Sequence, residues 1–489
     1  MKKALLIVSI FVSSFSSFSA DYFWNPDGIN GNILWSDLNN WYTTSGGTIH
    51  PAVLPGPGDD VYFDSNTLWP AMWIDMNAQC KTVFFNGPFV FSPEVNIEFS
   101  YSLEVYGSFY GVDDLMFNGL IKFKATTTGN VIDLYMPLAA NPALYVLSIL
   151  FNGSGGEWTL SDDLDAYTIG VVEGTLNTNS KTINTSTIGI SGPGAKTLNL
   201  GASEINLYDE GWISFAGAVY SVNAGTSTIW LRSGGPYIAM DAGYGHHFHR
   251  IVIDTLAPAP ILLGVSCEID ELIAYGLLNG TDFTGTIHRA EFYNASSVLA
   301  YQPSNAFYNF EYDTLILENT LGNFGYMYDI DTLFVNDVFQ VNTGPGDTIA
   351  ISGLGSQALR LPNDTICIDY VKLDNSNAIG NGYYFAGNNS VDLGSNTGWV
   401  FTNCQFPADV SGNEEKGLNI FPNPATDNFQ ILNASSGYFE VFDTSGNIVV
   451  SDVIDKQKQV STEHLGSGLY FIKVYQAEKV YSGKIMLIK

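Results

Sequence analysis

The sequence predicts an all-β protein, a parallel β-solenoid (β-helix-like) body followed by a small C-terminal β-sandwich. Three observations carry this expectation. Aromatic residues make up 14% of the chain and charged residues only 14%, glycine is abundant, and no long segment shows the apolar period of a helix. Short apolar runs alternate in and out with a period of two between Gly- and Asn-rich turns, the pattern of half-buried strands. A phrase of the form Asp-Thr-apolar-x-apolar also recurs, beginning at Asp313, Asp331, Asp347 and Asp364, at offsets of 18, 16 and 17. A unit of roughly 17 residues holds one short strand and its turns and cannot bury an apolar face alone, so neighbours must stack. Antiparallel sandwich domains are the alternative, because the period is short and not strict.

Residues 1–20 read as a secretory leader: Lys2 and Lys3, an apolar run from Ala4 to Val12, and a small polar end with Ser17 and Ser19 placed for cleavage after Ser19 or Ala20. The run is shorter than the roughly 20 residues that span a bilayer, and no second run of that length follows, so no transmembrane helix is expected.

Residues 21–100 form a Trp-rich opening region with five of the nine tryptophans, Trp24, Trp35, Trp41, Trp69 and Trp73. The first turn of a solenoid exposes a sheet end, and large aromatic side chains there are expected to act as a cap. Some of these indoles as a sugar-stacking platform is the sharper alternative.

Residues 101–404 are expected to hold the solenoid repeats. Upstream of the Asp-Thr phrases, GTLNTNSKTIN, AKTLNLGASEINLY, NAGTSTIWL and FHRIVID repeat the order strand, then turn. Residues 405–416, QFPADVSGNEEK, read as a linker and as the place for cleavage between cargo and tail.

Residues 417–489 read as a separate module. Pro422 and Pro424 fix an extended opening that leads into a short strand at 429–432. Runs at 438–442 and 448–450 flank Asp443-Thr444-Ser445-Gly446-Asn447, a hairpin whose turn needs the positive φ that Gly and Asn tolerate. In GLYFIKVYQ, Tyr470, Ile472 and Val474 share one face and Lys473 the other. KIMLIK ends the chain on a strand.

These four blocks, in this order, resemble the type A sorting domain of type IX secretion substrates. The resemblance implies recognition by an outer-membrane translocon, removal of the domain, and a cargo that is secreted or attached to the cell surface of a Gram-negative bacterium by surface attachment machinery. It assigns sorting roles to Phe421, Pro422, Asn423, Pro424, Gly446, Gly468, Tyr470, Val474, Lys484 and Lys489. The blocks within 174–401, closing on GNNSVDLGSNTGWVF, and the Trp-rich opening with its PGPGDDVYFDSNT resemble large repetitive surface proteins of type IX secreting bacteria. Ile33 and Leu34 lengthen the opening loop relative to that pattern.

No catalytic constellation emerges: there is no Gly-x-Ser-x-Gly elbow, His-Glu-x-x-His helix or phosphate-binding glycine loop. Within His246-His247-Phe248-His249, His247 and His249 share one strand face and are the candidate metal ligands, with no second ligand set in view. The acidic pairs Asp59-Asp60, Asp113-Asp114 and Asp162-Asp163 raise a polysaccharide lyase or hydrolase as an alternative, with calcium as a possible cofactor. Adjacent residues of a strand, however, point to opposite faces and do not make a facing carboxylate pair. The expectation is a protein without catalysis and without a required cofactor, structural or adhesive, with surface glycans as possible partners. The threonines of the repeated phrase, Thr314, Thr332, Thr348 and Thr365, resemble O-glycosylation acceptors, although Asp and Thr also suit the turn before a strand.

Removing the leader takes the net charge from −30 to −32. Such an acidic surface excludes nucleic acid or anionic lipid held by a basic patch. The four cysteines, Cys80, Cys267, Cys367 and Cys404, lack paired metal-ligand spacing. They are expected as free or disulfide-bonded thiols, with three possible full connectivities.

Overall fold

The computed structural model describes residues 19–26, 33–68, 71–113, 115–134, 147–215, 219–232, 237–240, 246–255, 261–276, 281–293, 296–299, 310–318, 323–327, 332–353, 358–404, 418–432, 436–455, 459–476 and 479–489. Residues 1–18 of the leader and the linker at 405–416 lie outside them. The chain divides into two compact units, residues 1–405 and 406–489.

The first unit is a parallel β-solenoid with three strands per turn. Asp60–Asp64 lies on a first face, Ala71–Ile74 on a second and Ala78–Cys80 on a third, and Thr82–Asn86 returns to the first beside Asp60–Asp64. Parallel pairing begins at Asp21, which lies beside Asp60. The described part of residues 21–100 therefore forms the first turns of the solenoid.

Each inward position recurs once per turn, and the recurring residues stack into columns. On the second face Ile183, Ile205, Ile229, Ile251, Leu272, Ala290 and Leu315 are successive partners, none more than 1% exposed. On the third, Leu103, Ile121, Ile149, Ile169, Ile188 and Ile213 do the same. Branched aliphatics suit this role, because their stiff side chains pack well on a pleated surface and removing them from water drives the stacking.

The turn is longer than the predicted unit of roughly 17 residues. Side chains one turn apart are separated by 19 residues at Asp165 and Asn184, 22 at Asn177 and Asn199, and 25 at Gln79 and Glu104. The Asp-Thr phrases do not stack on one another. Thr314 pairs with Val338 on the second face, Thr332 with Ala358 on the first, Thr348 precedes the third-face strand Ile349–Gly353, and Thr365 opens Thr365–Cys367 on the second. Each step of the phrase advances the chain by two strands where a full turn needs three. The phrase marks strand starts on every face, which is what a turn-favouring Asp and a β-favouring Thr dictate.

Several strands run through a corner without ending, among them Leu147–Leu160, Leu164–Asn177 and Thr281–Phe292. Their register shifts by a bulge at the corner, as between Val265 and Cys267 opposite Gly285. Near the C-terminal end of the unit, Cys367 and Cys404 form a disulfide, while Cys80 and Cys267 are buried and take no part in it. None of the three full pairings is formed.

The second unit holds two antiparallel sheets around one core. Ile420–Phe421, Asn428–Ile431 and Gln459–Ser461 make a three-stranded sheet. Ser436–Phe442, Ile448–Asp455, Gly468–Gln476 and Lys479–Leu487 make a four-stranded one. Phe429, Phe439, Val441, Ile472, Val474 and Ile485 are each at most 1% exposed between them. The predicted hairpin is present with longer arms; its turn is held by Asp443, whose Oδ1 accepts from the backbone N–H of Ser445 (2.8 Å) and Asn447 (2.9 Å), and Gly446 has φ of 85°. Among the described residues no helix is long and apolar enough to cross a membrane.

Candidate functional site

In the tail, the opening segment is clamped to the last strand. Asn423 donates through Nδ2 to the Lys484 carbonyl at 2.9 Å, and its Oδ1 accepts from the Met486 N–H at 3.0 Å. The Ala425 N–H donates to the Met486 carbonyl, and the Ile488 N–H returns the bond to Ala425. Lys489 Nζ donates to the carbonyls of Thr462 (2.8 Å) and Glu463 (2.7 Å). Phe421, two residues before Asn423, is 65% exposed. Val474 is fully buried, whereas the Tyr470 hydroxyl reaches the Gly466 carbonyl at 3.1 Å.

Asn423, Lys484 and Lys489 thus gather along the final strand. Gly446 and Lys484 line one groove of about 670 Å³ on the outer side of the four-stranded sheet, with Phe442, Phe471 and Lys473. Lys473 sits over the Phe442 ring, 5.6 Å from its centre. Lys473 lies on the outward face as the alternation predicts, and Phe471, which the sequence did not single out, lies beside it opposite the buried Ile472 and Val474.

In the body, His247 and His249 share a face as expected, and the next turn supplies Asp270 between them. His247 Nε2 lies 2.6 Å and His249 Nδ1 3.0 Å from its two oxygens. Burial pushes the Asp270 carboxyl up, but the two imidazole hydrogen bonds outweigh it and hold it below the usual carboxylate range. One ring nitrogen of each imidazole is engaged by that carboxylate. Among the described residues no group of three His, Cys, Asp or Glu side chains could hold a metal ion. His246 points the other way, buried, with Nε2 2.8 Å from the Tyr220 hydroxyl.

The acidic pairs serve turns. Asp59 accepts from the backbone N–H groups of Ala20 and Gly56, both at 2.9 Å, while its neighbour Asp60 pairs with Lys81 at 3.3 Å. Asp163 accepts from the Thr182 N–H at 2.7 Å and Asp162 from the Asp163 N–H at 2.8 Å. Asp114 lies outside the described residues.

The N-terminal indoles divide. Trp24, Trp35 and Trp41 are at most 2% exposed, with Trp41 edge-on to both others at centre distances of 4.9 and 4.8 Å. A sugar platform on Trp24 or Trp41 is excluded by that burial. Trp69 lies outside the described residues, and Trp73 is 45% exposed.

A β-solenoid joined to a two-sheet terminal module is the arrangement of an exported cargo that carries its address at its end. Residues 419–489 match the family of secretion system C-terminal sorting domains. The tail is a type IX sorting domain, and through it the chain is directed to the type IX secretion system for export to the cell surface or the medium. No curated protein and no solved structure matches the chain.

Proposed function

We propose that the solenoid is a non-catalytic cargo, displayed or released outside the cell as a structural or adhesive element. The observation that carries the reading is the sorting domain at 419–489 behind a long solenoid whose interior is filled by apolar columns. Support comes also from the histidines and acidic pairs, which are engaged in ion pairs and turns. The leader at 1–20 hands the chain across the inner membrane and the tail across the outer one. Cleavage falls in 405–416, and the solenoid acts alone afterwards. A chain truncated before Gly417, expressed in a type IX secreting host, is expected to stay in the periplasm. Surface or medium localisation of that truncate, measured by fractionation and surface protease accessibility, would sink the export reading. Incubating the purified chain with a panel of polysaccharides tests the absence of catalysis, because new reducing or unsaturated ends would overturn it.

A further inference from the structure

Several outward aromatic rings among the described residues are already occupied. Phe23, Tyr62, Phe84 and Tyr110 form a stacked row with centre distances of 5.0, 4.8 and 5.1 Å, so the two inner rings are covered on both faces and each end ring on one. The Trp230 face is covered by the Arg232 guanidinium at 3.8 Å. Trp73 differs. It is 45% exposed and has no stacking or cation partner among the described residues.

Trp73 begins an outward column on the second face. Asn96 is its partner one turn on, and Asn118 is the partner of Asn96. Asn118 Nδ2 donates to Asn96 Oδ1 at 2.9 Å, and Asn96 Nδ2 to Glu94 Oε1 at 2.7 Å. This chain fixes the amide planes and uses one N–H of each amide, and both asparagines are half-buried. The next residues along both strands, Ile97 and Gly119, enter a groove of about 390 Å³ whose wall includes Phe99, 97% exposed, with Glu98 and Lys122 as its charged groups.

We propose that this track, from Trp73 across Asn96 and Asn118 to the groove under Phe99, binds an uncharged polysaccharide chain. The proposal deepens the adhesive reading of the body by naming its ligand class. Three features select that class. Indole and phenyl faces match the C–H face of a sugar ring, while oriented amides and a carboxylate match its hydroxyls. The Glu94–Ile97 strand beneath the track is paired on both sides, and Trp73 is bonded through its backbone to Ile33 and Trp35 on the side away from it, so neither of these strands offers a peptide a β-addition edge. Glu94 and Glu98 face the track with one cation, Lys122, on a chain of net charge −30, which opposes polyanions.

The test is affinity electrophoresis of the purified full chain through gels containing soluble β-glucan, mannan or xylan, with alginate and pectate as charged counterparts. Retardation by at least one neutral polymer is expected. Trp73→Ala and Phe99→Ala should each weaken it by roughly tenfold, with unchanged thermal unfolding, and Trp73→Phe should restore part of it. Asn118→Ala gives a second reading that leaves both rings in place. No retardation by any neutral polymer, retardation by the charged ones alone, or retardation unchanged in Trp73→Ala would overturn the proposal. Binding to the purified chain does not depend on secretion, so failure here leaves the export reading to its own experiment.

Discussion

At the scale of single residues, Asp165 is a carboxyl that folding strips of water. It is 2% exposed on the second face; desolvation pushes its carboxyl up to about 6, against the hydrogen bond from Asn184 Nδ2 at 2.6 Å, and nearby Asp163 adds to the rise. The folded state therefore holds a proton that the unfolded state gives up near pH 4. Its contribution to stability is complete below that point and is lost as pH rises through about 6, by at most about 3 kcal/mol. Asp165→Asn is expected to raise the unfolding temperature at pH 7 and to flatten its pH dependence between 4 and 6. An unchanged melting profile across that range would contradict the assignment. The tryptophans show where reading residues one at a time stops. Their density marked 21–100 as special, but in the strand Asp21–Trp24 it is Tyr22 and Trp24 that are buried while Phe23 lies on the other side. Which side faces inward is decided by the neighbouring turn, where Val61 and Phe63 are buried and Tyr62 is not. That partner is set by pairing 39 residues away and has no local signal.

At the scale of elements, the corners carry the strictest requirements. Thr281–Phe292 bends at Gly285, where a Cβ would lie 1.8 Å from the Cys267 carbonyl oxygen of the turn before. Backbone cannot yield as a flexible side chain does, so Gly285→Ala is expected to destabilise the body by about 2 to 4 kcal/mol in chemical denaturation. Gly344→Ala, where a Cβ meets nothing within 4 Å, should stay within about 0.5 kcal/mol. Equal effects at the two sites would show that close approach is not what Gly285 serves. Strand identity was legible in the sequence, because alternation and turn residues are local. The length of a turn was not: the Asp-Thr phrase recurs every two strands, so its spacing understates the rise to the next layer, and corners such as that at Gly285 carry no chain break to count. The tail was read more fully, since its hairpin and final strands pair between near neighbours in sequence.

At the scale of the molecule, the body is close to one-dimensional: each turn packs on the turn before and the turn after, and stability is a sum of intrinsic and nearest-neighbour terms. Damage at one end should then stay at that end. The Cys367–Cys404 disulfide, which suits an exported protein, closes a span of 37 residues at the C-terminal turns. By loop entropy it is worth about 4 kcal/mol to the segment it closes. The columns through 147–292 share no contact with it except through the intervening turns. Replacing both cysteines by serine is expected to raise hydrogen exchange across 358–404 while the amides of Leu147–Leu160 and Leu164–Asn177 keep their protection. A globular core would transmit the loss throughout. If exchange in 147–177 rises as much as in 358–404, the stacked turns form one cooperative unit and the nearest-neighbour description fails.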